Sequence, residues 1–258
     1  MPTNIEWTSD TLNITTGCEP ISSGCQNCYA RVMHKRLRAM GQPKYQHPFE
    51  TLHLHPEVLG NVYSWKKPRL VFVNSMSDLF HAAVPEDFIK EAFRVFQDNP
   101  CHNFQVLTKR SERMLEFSKK HKIPSNVWLG VTVEEEEHTT RISSLIKTFA
   151  TVRFVSFEPL LGRIPKGLLK QIICGPGAFT DQPYNKKIQW LIVGGETGHG
   201  ARQMDLSWAR EIRDFCQENG VPFFFKKIGG SSKWKKSRRL DGRKWEEWPQ
   251  RKQGGQCG

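Results

Sequence analysis

Six short apolar runs constrain the fold of this chain more than any other feature of its sequence. Their starts lie 23 to 37 residues apart, and each is rich in β-branched or aromatic residues. The runs are continuously apolar rather than alternating in polarity, which indicates strands buried on both faces of a sheet. They are RLVFVNS from Arg69, FQVLTK from Phe104, VWLGVTV from Val127, VRFVSF from Val152, QWLIVGG from Gln189 and VPFFFKK from Val221.

Helical patterns lie between most of these runs. Residues 85–99 begin with a proline and two acids and place five apolar residues on one face. The next helix is expected to begin with Ser111 as its capping residue, and a third ends at Gly220. A weaker pattern covers 135–149, and a further helix covers 29–40. This alternation predicts an α/β fold, a partial or complete parallel (β/α) barrel of about six to seven strands that is TIM-barrel-like.

Charge is concentrated at the C-terminal end of the sequence. The net charge is +12, and residues 231–258 hold nine Lys and Arg against three acids. We therefore predict a barrel domain over 1–230 and a basic C-terminal extension over 231–258. A basic surface attracts polyanions, so nucleic acid or a nucleotide is a predicted partner; a solvated tail is the simpler alternative. The tail's aromatics suit either stacking on bases or docking on the barrel: Trp234, Trp245 and Trp248.

Two segments expected to be irregular interrupt the pattern. Residues 42–67 are rich in proline and histidine and are predicted to form a long crossover or lid, and residues 161–187 resemble an insertion between two strands. No apolar run approaches the eighteen residues of a membrane span, and the N-terminus lacks a basic start followed by an apolar run. We therefore expect no membrane partner and a cytoplasmic location. In that compartment, clustered thiols indicate metal binding or catalysis rather than disulfides.

Three cysteines lie within eleven residues in the pattern C-x6-C-x2-C: Cys18, Cys25 and Cys28. Thiolates select zinc or iron–sulfur clusters, and a structural zinc site needs four ligands. Three thiolates instead suit a [4Fe–4S] cluster with one iron open to a small ligand. The preceding TLNITTG is expected to form a first strand, which places the thiols at its carboxyl end. A zinc site completed by a loosely spaced histidine remains open, with these candidates: His34, His47, His53 and His55.

Polar residues follow the predicted strands at their carboxyl ends, where parallel α/β folds place their sites. Strands commonly become polar on leaving a core, but Glu158 lies within an apolar run and Glu196 follows a glycine pair that permits close approach. No residue is assigned a catalytic role. The candidate cofactor-binding residues are Tyr29, Ser77, Asp78, Lys109, Glu134, Glu158, Gly195 and Glu196, with Arg110 as a further donor.

The block TTGCEPISSGCQNCYAR resembles the cysteine signature of radical SAM enzymes related to spore photoproduct lyase. Those enzymes are usually C-x3-C-x2-C, so the three additional residues here are expected to bulge away from a cluster. Longer blocks resemble a phage family named for gene products thirty-seven and sixty-eight, from about Asn4 to Pro249. Some members of that family are associated with a "three-Cys-motif partner" protein, which the resemblance implies as a partner. These blocks include NIEWT, FVNSMSDLFH, FQVLTKR, NVWLGVTVE, RFVSFEPLLG, WLIVGGETGHGARQMD, PFFFKKIGG and LDGRKWEEWP.

The radical SAM resemblance implies a function. The three cysteines would hold a [4Fe–4S] cluster whose open iron binds S-adenosylmethionine, and an electron donor would allow formation of a 5′-deoxyadenosyl radical. The acids above would accept from the ammonium and ribose groups of S-adenosylmethionine. Ser77 and Lys109 would donate to its carboxylate, while Tyr29 would pack on the cluster or on adenine. The substrate is unknown and expected to be polyanionic, a nucleic acid or a nucleotide. The alternative is a non-catalytic nucleic-acid-binding protein stabilised by zinc or an iron–sulfur cluster.

Overall fold

The structure is a computed structural model that describes Thr3 and residues 5–174, 188–233 and 235–250. The α-helices in these ranges are α1 Tyr29–Ala39, α2 Pro56–Leu59, α3 Glu86–Asp98, α4 Ser111–Lys120, α5 Thr140–Leu145, α6 Lys166–Cys174 and α7 Leu206–Asn219. The strands are β1 Asp10–Leu12, β2 Thr15–Thr16, β3 His53–Leu54, β4 Leu70–Val73, β5 Asn103–Thr108, β6 Val127–Thr132, β7 Val152–Phe157, β8 Trp190–Gly194, β9 Phe223–Lys227, β10 Arg239–Leu240 and β11 Arg243–Lys244.

Seven strands form one sheet in the order β1-β4-β5-β6-β7-β8-β9. β4 runs parallel to both β1 and β5, and β8 runs parallel to both β7 and β9. All six apolar runs form strands of this sheet, β4 to β9, and every residue of β6 is buried. The predicted α/β class and the partial parallel (β/α) barrel of six to seven strands are therefore confirmed.

The chain divides into two compact units. Of the described residues, the first contains Thr3, 5–129 and 148–151, and the second contains 130–147, 152–174, 188–233 and 235–250. In the first unit, the five apolar residues predicted on one face of α3 are all buried. Phe96 of this face stacks on Phe104 of β5, with ring centroids 4.1 Å apart. This contact fixes the helix against the strand whose carboxyl end contributes to the site described below.

The second unit is built around β7, β8 and β9, with α7 among its helices. Asp205 caps α7 by accepting a hydrogen bond from Ser207 N at 2.8 Å, and Gly220 ends the helix with φ +58°. Trp245 is buried and packs edge-on against Phe223, with centroids 6.0 Å apart. The segment 239–249 therefore docks on β9. The domain boundary after residue 230 stays a prediction, and Trp234 and residues 251–258 lie outside the described residues.

The first strand differs from its prediction. TLNITTG divides into β1, which joins the large sheet, and β2, which pairs antiparallel with β3. The cause is Asn74, whose side-chain Oδ1 accepts hydrogen bonds from Ile14 N and Thr15 N at 2.9 and 3.0 Å. These bonds replace the partners that a continuing ladder would supply, so the chain leaves the sheet before the thiols are reached.

Three smaller expectations from the sequence can be compared with the structure. Ser111 is the first residue inside α4 rather than its cap, since Arg110 occupies the capping position. The segment 42–67 contains four short elements: β3, α2 and two 3-10 helices, Pro43–Tyr45 and Gly60–Ser64. Within the segment predicted as an insertion, α6 is ordered, and residues 175–187 lie outside the described part of the chain. Among the described helices, none has the length and apolar character that crossing a membrane requires.

Candidate functional site

The thiol loop, residues 17–28, is fixed at its entry by backbone packing. Gly17 has φ +89°, and a Cβ there would lie 2.1 Å from the carbonyl oxygen of Thr51. Only glycine meets both conditions. Cys18 N donates to Phe49 O at 2.8 Å, and the Ser77 hydroxyl donates to Gly17 O at 2.6 Å. The loop entry is therefore held between the segment 49–51 and the turn after β4.

Arg110 connects the first thiol to the carboxyl ends of β4 and β5. Its Nη1 donates to Cys18 Sγ at 3.7 Å and to Asp78 Oδ2 at 3.0 Å, and its Nη2 donates to Glu19 O at 3.3 Å. Asp78 is buried and also accepts from the Thr108 hydroxyl at 2.7 Å. Because Asp78 is anchored, the guanidinium is held in one orientation, and it positions the Cys18 sulfur.

The other two thiols lie on either side of a tight turn. Cys25 ends a short 3-10 helix, and its Sγ lies 3.7 Å from the Ser22 hydroxyl. Cys28 is the residue before α1 and accepts a helical hydrogen bond from Val32 N. Cys18 and Cys28 both pack against a buried apolar cluster that contains Phe49. The thiols are half-buried. A metal group bound by them would therefore contact apolar side chains on one side and be accessible to solvent or a ligand on the other.

The electrostatic environment differs among the thiols. Burial raises the pKa of Cys18 to about 11, and Asp78 adds to the increase, while Arg110 opposes it. Burial also acts to raise the pKa of Cys25, but a backbone hydrogen bond at Ile21 and the charge of Lys109 outweigh it and lower that pKa. Cys25 is therefore the more readily deprotonated of these two thiols. Since metal ligands must be thiolates, Arg110 matters most at Cys18.

The distances among ligand atoms distinguish one metal ion from a larger group. Thiolates bound to one zinc at about 2.3 Å lie about 4 Å from one another. Among the described residues, the one set of three His, Cys, Asp or Glu side chains with ligand atoms all within 4.8 Å is Glu135, Glu137 and His138. Cys18, Cys25 and Cys28 do not form such a set, so at least one pair of their sulfurs lies farther apart than two thiolates on one zinc ion. The described residues therefore do not form a ready-made site for a single zinc ion at these thiols.

The histidines considered for a zinc site make contacts with one another and with neighbouring side chains. His47 stacks on His53, with ring centroids 3.7 Å apart, and His55 Nε2 lies 2.8 Å from the Thr16 hydroxyl. His34 is buried with its ring edge-on to Tyr45 and Phe49. Within the described residues, no histidine joins the cysteines in a compact set of three ligand atoms.

In the second unit, the strand-end acids are paired with cations. Glu134 is fully buried and accepts from Arg141 at 2.7 Å. Glu196 is buried and accepts from Arg202 through its main-chain N at 2.8 Å and Nε at 2.9 Å. These two arginines already neutralise the carboxylates that were expected to meet a ligand. Any ligand contact with these groups would therefore have to share or displace an arginine.

The two remaining candidates of the second unit also have defined contacts. Glu158 accepts from Lys226 at 2.6 Å. A Cβ on Gly195 would lie 1.9 Å from Ile228 O, so this glycine permits close backbone packing. The described contacts of these residues are those of a folded framework, and their predicted ligand-binding roles stay predictions.

The structure places the predicted residues in two groups. Four candidates lie in the same unit as the thiol loop. One of them, Tyr29 at the start of α1, is 56% exposed. The second unit holds the other four. The first group is Tyr29, Ser77, Asp78 and Lys109, and the second is Glu134, Glu158, Gly195 and Glu196.

Two residues near the thiol loop were not among the predicted site residues, although Thr108 was expected as a polar residue at the end of its strand. Thr108 donates to both oxygens of Asp78, at 2.7 and 2.9 Å. His81 is buried, its Nδ1 accepts from Ala83 N at 3.1 Å, and its Nε2 lies 3.8 Å from Glu19 Oε2. Burial lowers the pKa of His81, which favours a neutral ring. The sequence signal for Thr108 was its place as a polar residue at the end of β5. No sequence signal indicated that His81 would lie near the thiol loop.

Comparisons with known proteins place these features in context. A family model described as "Protein of unknown function (DUF5131)" matches residues 2–249, and its description does not carry the phage name suggested by the sequence blocks. No curated protein sequence matches the chain significantly. Among solved structures, the chain is similar to spore photoproduct lyase. A cysteine-to-serine mutant of that lyase aligns with a TM-score of 0.48 at 10% identity over 81% of this chain.

A second lyase structure, a double mutant "with bound AdoMet and dinucleoside spore photoproduct", aligns with a TM-score of 0.46 at 10% identity. A tyrosine-to-phenylalanine mutant aligns with a TM-score of 0.47 at 9% identity. Each alignment covers 81% of this chain and 61% of the lyase chain, so the chain spans less than two thirds of the lyase's length. A likeness of this degree carries no inference about activity.

Proposed function

This chain belongs to the DUF5131 family, and we propose that it is a radical SAM-type iron–sulfur enzyme. The observation that carries the proposal is the thiol loop itself. Three free thiols share one short loop, whose entry is anchored beside the carboxyl ends of β4 and β5, and their sulfurs do not all lie within 4.8 Å of one another. Thiolates select iron–sulfur clusters or zinc, and three thiolates with no fourth ligand close by among the described residues suit a [4Fe–4S] cluster bound by Cys18, Cys25 and Cys28.

The chain's own residues prepare this site. Arg110 offsets the negative charge of a thiolate at Cys18 and holds the sulfur in place through Asp78. Ser77 fixes the backbone one residue before Cys18. Between Cys18 and Cys25, Glu19 to Ile21 are exposed to solvent, which supports a loop that bulges away from the cluster. The apolar cluster beneath Cys18 and Cys28 excludes water from one side of the site.

When bound, the cluster would supply one electron from a donor for cleavage of the S–C bond of S-adenosylmethionine, which yields methionine and a 5′-deoxyadenosyl radical. We propose that Tyr29 and Lys109 contact S-adenosylmethionine and that Asp78 acts mainly by positioning Arg110. The Ser77 hydroxyl proton is donated to Gly17 O, so Ser77 would contact S-adenosylmethionine as an acceptor rather than as the donor expected from the sequence. Three acids of the second unit, Glu134, Glu158 and Glu196, remain proposed acceptors, with Gly195 giving close backbone approach. A low-potential electron donor, a three-Cys-motif partner protein, the phage relationship and a cytoplasmic location also belong to the proposal.

Anaerobic reconstitution with iron and sulfide tests the metal site. The wild-type chain is expected to bind about four irons and to show the absorbance of a four-iron cluster. Cys25→Ala should lose both, since one ligand is removed. Cys216→Ala is the matched control, because this thiol is buried in α7 and belongs to the second unit. Stoichiometric zinc without iron in the wild-type protein would refute the proposal.

A further inference from the structure

A cleft of about 360 Å³ lies in the second unit, formed by residues far apart in sequence. The loop after β8 contributes Gly198 and His199, and the end of β9 contributes Lys227. Two further lysines come from the C-terminal segment, Lys235 and Lys236. Its volume lies within the range of ligand pockets in proteins, roughly 300 to 1,000 Å³.

The backbone builds this cleft through specific contacts. Ile228 N donates to Ser237 O and Gly229 N donates to Lys235 O, both at 3.0 Å. Gly229 and Gly230 have φ of +71° and +69°, and a Cβ on Gly229 would lie 2.4 Å from Glu196 O. This glycine turn folds the C-terminal segment back toward the loop after β8. The positions of Lys235 and Lys236 therefore follow from the fold rather than from a free tail.

The cleft carries positive charge without an opposing carboxylate in its lining. None of the described lining residues is acidic, and within the described chain no carboxylate pairs with Lys235 or Lys236. The neighbouring acid Glu196 is buried and bound to Arg202. Gathering lysines in this way is unfavourable for the protein alone, because like charges repel. A bound anion would remove that repulsion.

We propose that this cleft binds the phosphate backbone of a single-stranded nucleic acid. Lysine ammonium groups bind phosphate oxygens as point charges. The positive charge continues along the segment 231–250, which holds seven Lys and Arg against three acids and exposes Arg239, Arg243 and Lys244. A single phosphate would use the cleft alone, whereas a strand would use the cleft and the adjoining basic residues. This extent favours a polynucleotide over a free nucleotide.

The inference deepens the proposed function by naming its substrate class. Strand binding itself does not depend on the proposed function, whereas any reaction of the bound strand does. Strand binding is measured on the full-length chain, and iron content is measured separately. A wild-type chain that carries an intact cluster but does not bind the strand would refute this inference alone. Strand binding by a protein that takes up no iron–sulfur cluster on reconstitution would refute the proposed function alone.

The experiment titrates a fluorescent single-stranded DNA oligonucleotide over a series of salt concentrations. Each lysine–phosphate contact to a single strand contributes about 0.7 to the slope of log K against log salt. Lys235→Gln/Lys236→Gln is therefore expected to make the slope shallower by about 1.4. Lys119→Gln/Lys122→Gln is the matched control, since it removes the same charge from exposed positions in the first unit. It should leave the slope unchanged.

Competition identifies the source of the phosphate. An unlabelled strand should displace the probe, whereas adenosine monophosphate, inorganic phosphate and poly-glutamate at equal charge should displace it weakly. Equal competition by the monophosphate or phosphate would overturn the assignment to a strand. Equal competition by poly-glutamate would overturn recognition of phosphate. Equal slopes for the two double variants would overturn the location in this cleft.

Discussion

Replacing Gly17 by alanine tests the anchoring of the thiol loop. Two independent effects oppose the added methyl group. The left-handed backbone at φ +89° costs a non-glycine residue roughly 1–2 kcal/mol. The new Cβ would also lie 2.1 Å from Thr51 O and 2.9 Å from Phe49 O, so backbone must move, which costs about 1–3 kcal/mol more. The expected loss in the free energy of unfolding is therefore about 2–5 kcal/mol.

Gly41→Ala provides a matched control for this change. Gly41 has φ +70°, and a Cβ there would meet nothing within 4 Å. Gly41→Ala therefore loses only the free energy of placing a non-glycine residue in a left-handed backbone conformation. Urea unfolding monitored by tryptophan fluorescence measures both variants. The iron bound after reconstitution should fall in Gly17→Ala and remain in Gly41→Ala, because Cys18 N bonds to Phe49 O in the segment that must move. Unfolding free energies within about 0.5 kcal/mol of each other would refute the reasoning.

Two further predictions concern charged pairs of the second unit. Glu196→Gln should lower the free energy of unfolding by about 1.5 kcal/mol, because a buried carboxylate loses its charge-assisted bonds to Arg202, which remains partly exposed. Glu211→Gln at the solvent-exposed pair with Arg163 should lower it less in the same urea titration, and an equal loss would contradict the account. Hydrogen bonds from Arg210 and Arg213 lower the pKa of Asp241 from 3.8 to about 2, so its stabilising effect is full above pH 3.8 and disappears as the pH falls through about 2. The difference in unfolding temperature between the wild type and Asp241→Asn should shrink over that interval, and a difference that stays constant down to pH 2 would show that the pair contributes nothing pH-dependent.

The elements that were predictable from the sequence depend on local pattern. Continuous apolar runs as long as that from Val127 leave few alternatives to a buried strand, and β6 occupies the predicted place. The face of α3 followed from helical spacing alone. Asp205 and Gly220 bound α7 because a cap and a left-handed residue act within one turn. Local rules of this kind transfer from sequence to structure with little dependence on the rest of the chain.

The features that escaped prediction depend on contacts between distant residues. β1 and β2 are separate because the Asn74 side chain, about 60 residues away in sequence, takes the backbone donors of Ile14 and Thr15. The Cys18 thiol is positioned by Arg110, 92 residues further along the chain. Ser77 and Asp78 were expected at a strand end beside the thiols, but no local sequence pattern indicates that they bind Gly17 and Arg110.

Cleavage of S-adenosylmethionine tests the proposed radical SAM function most directly. The reconstituted wild-type protein, reduced with dithionite, should form 5′-deoxyadenosine and methionine, and both can be quantified by liquid chromatography. Cys25→Ala should form neither, while Cys216→Ala should match the wild type. A wild-type protein that carries an intact four-iron cluster and releases no 5′-deoxyadenosine would contradict the proposal. It would leave either a non-catalytic, cluster-stabilised nucleic-acid-binding role or an electron-transfer role.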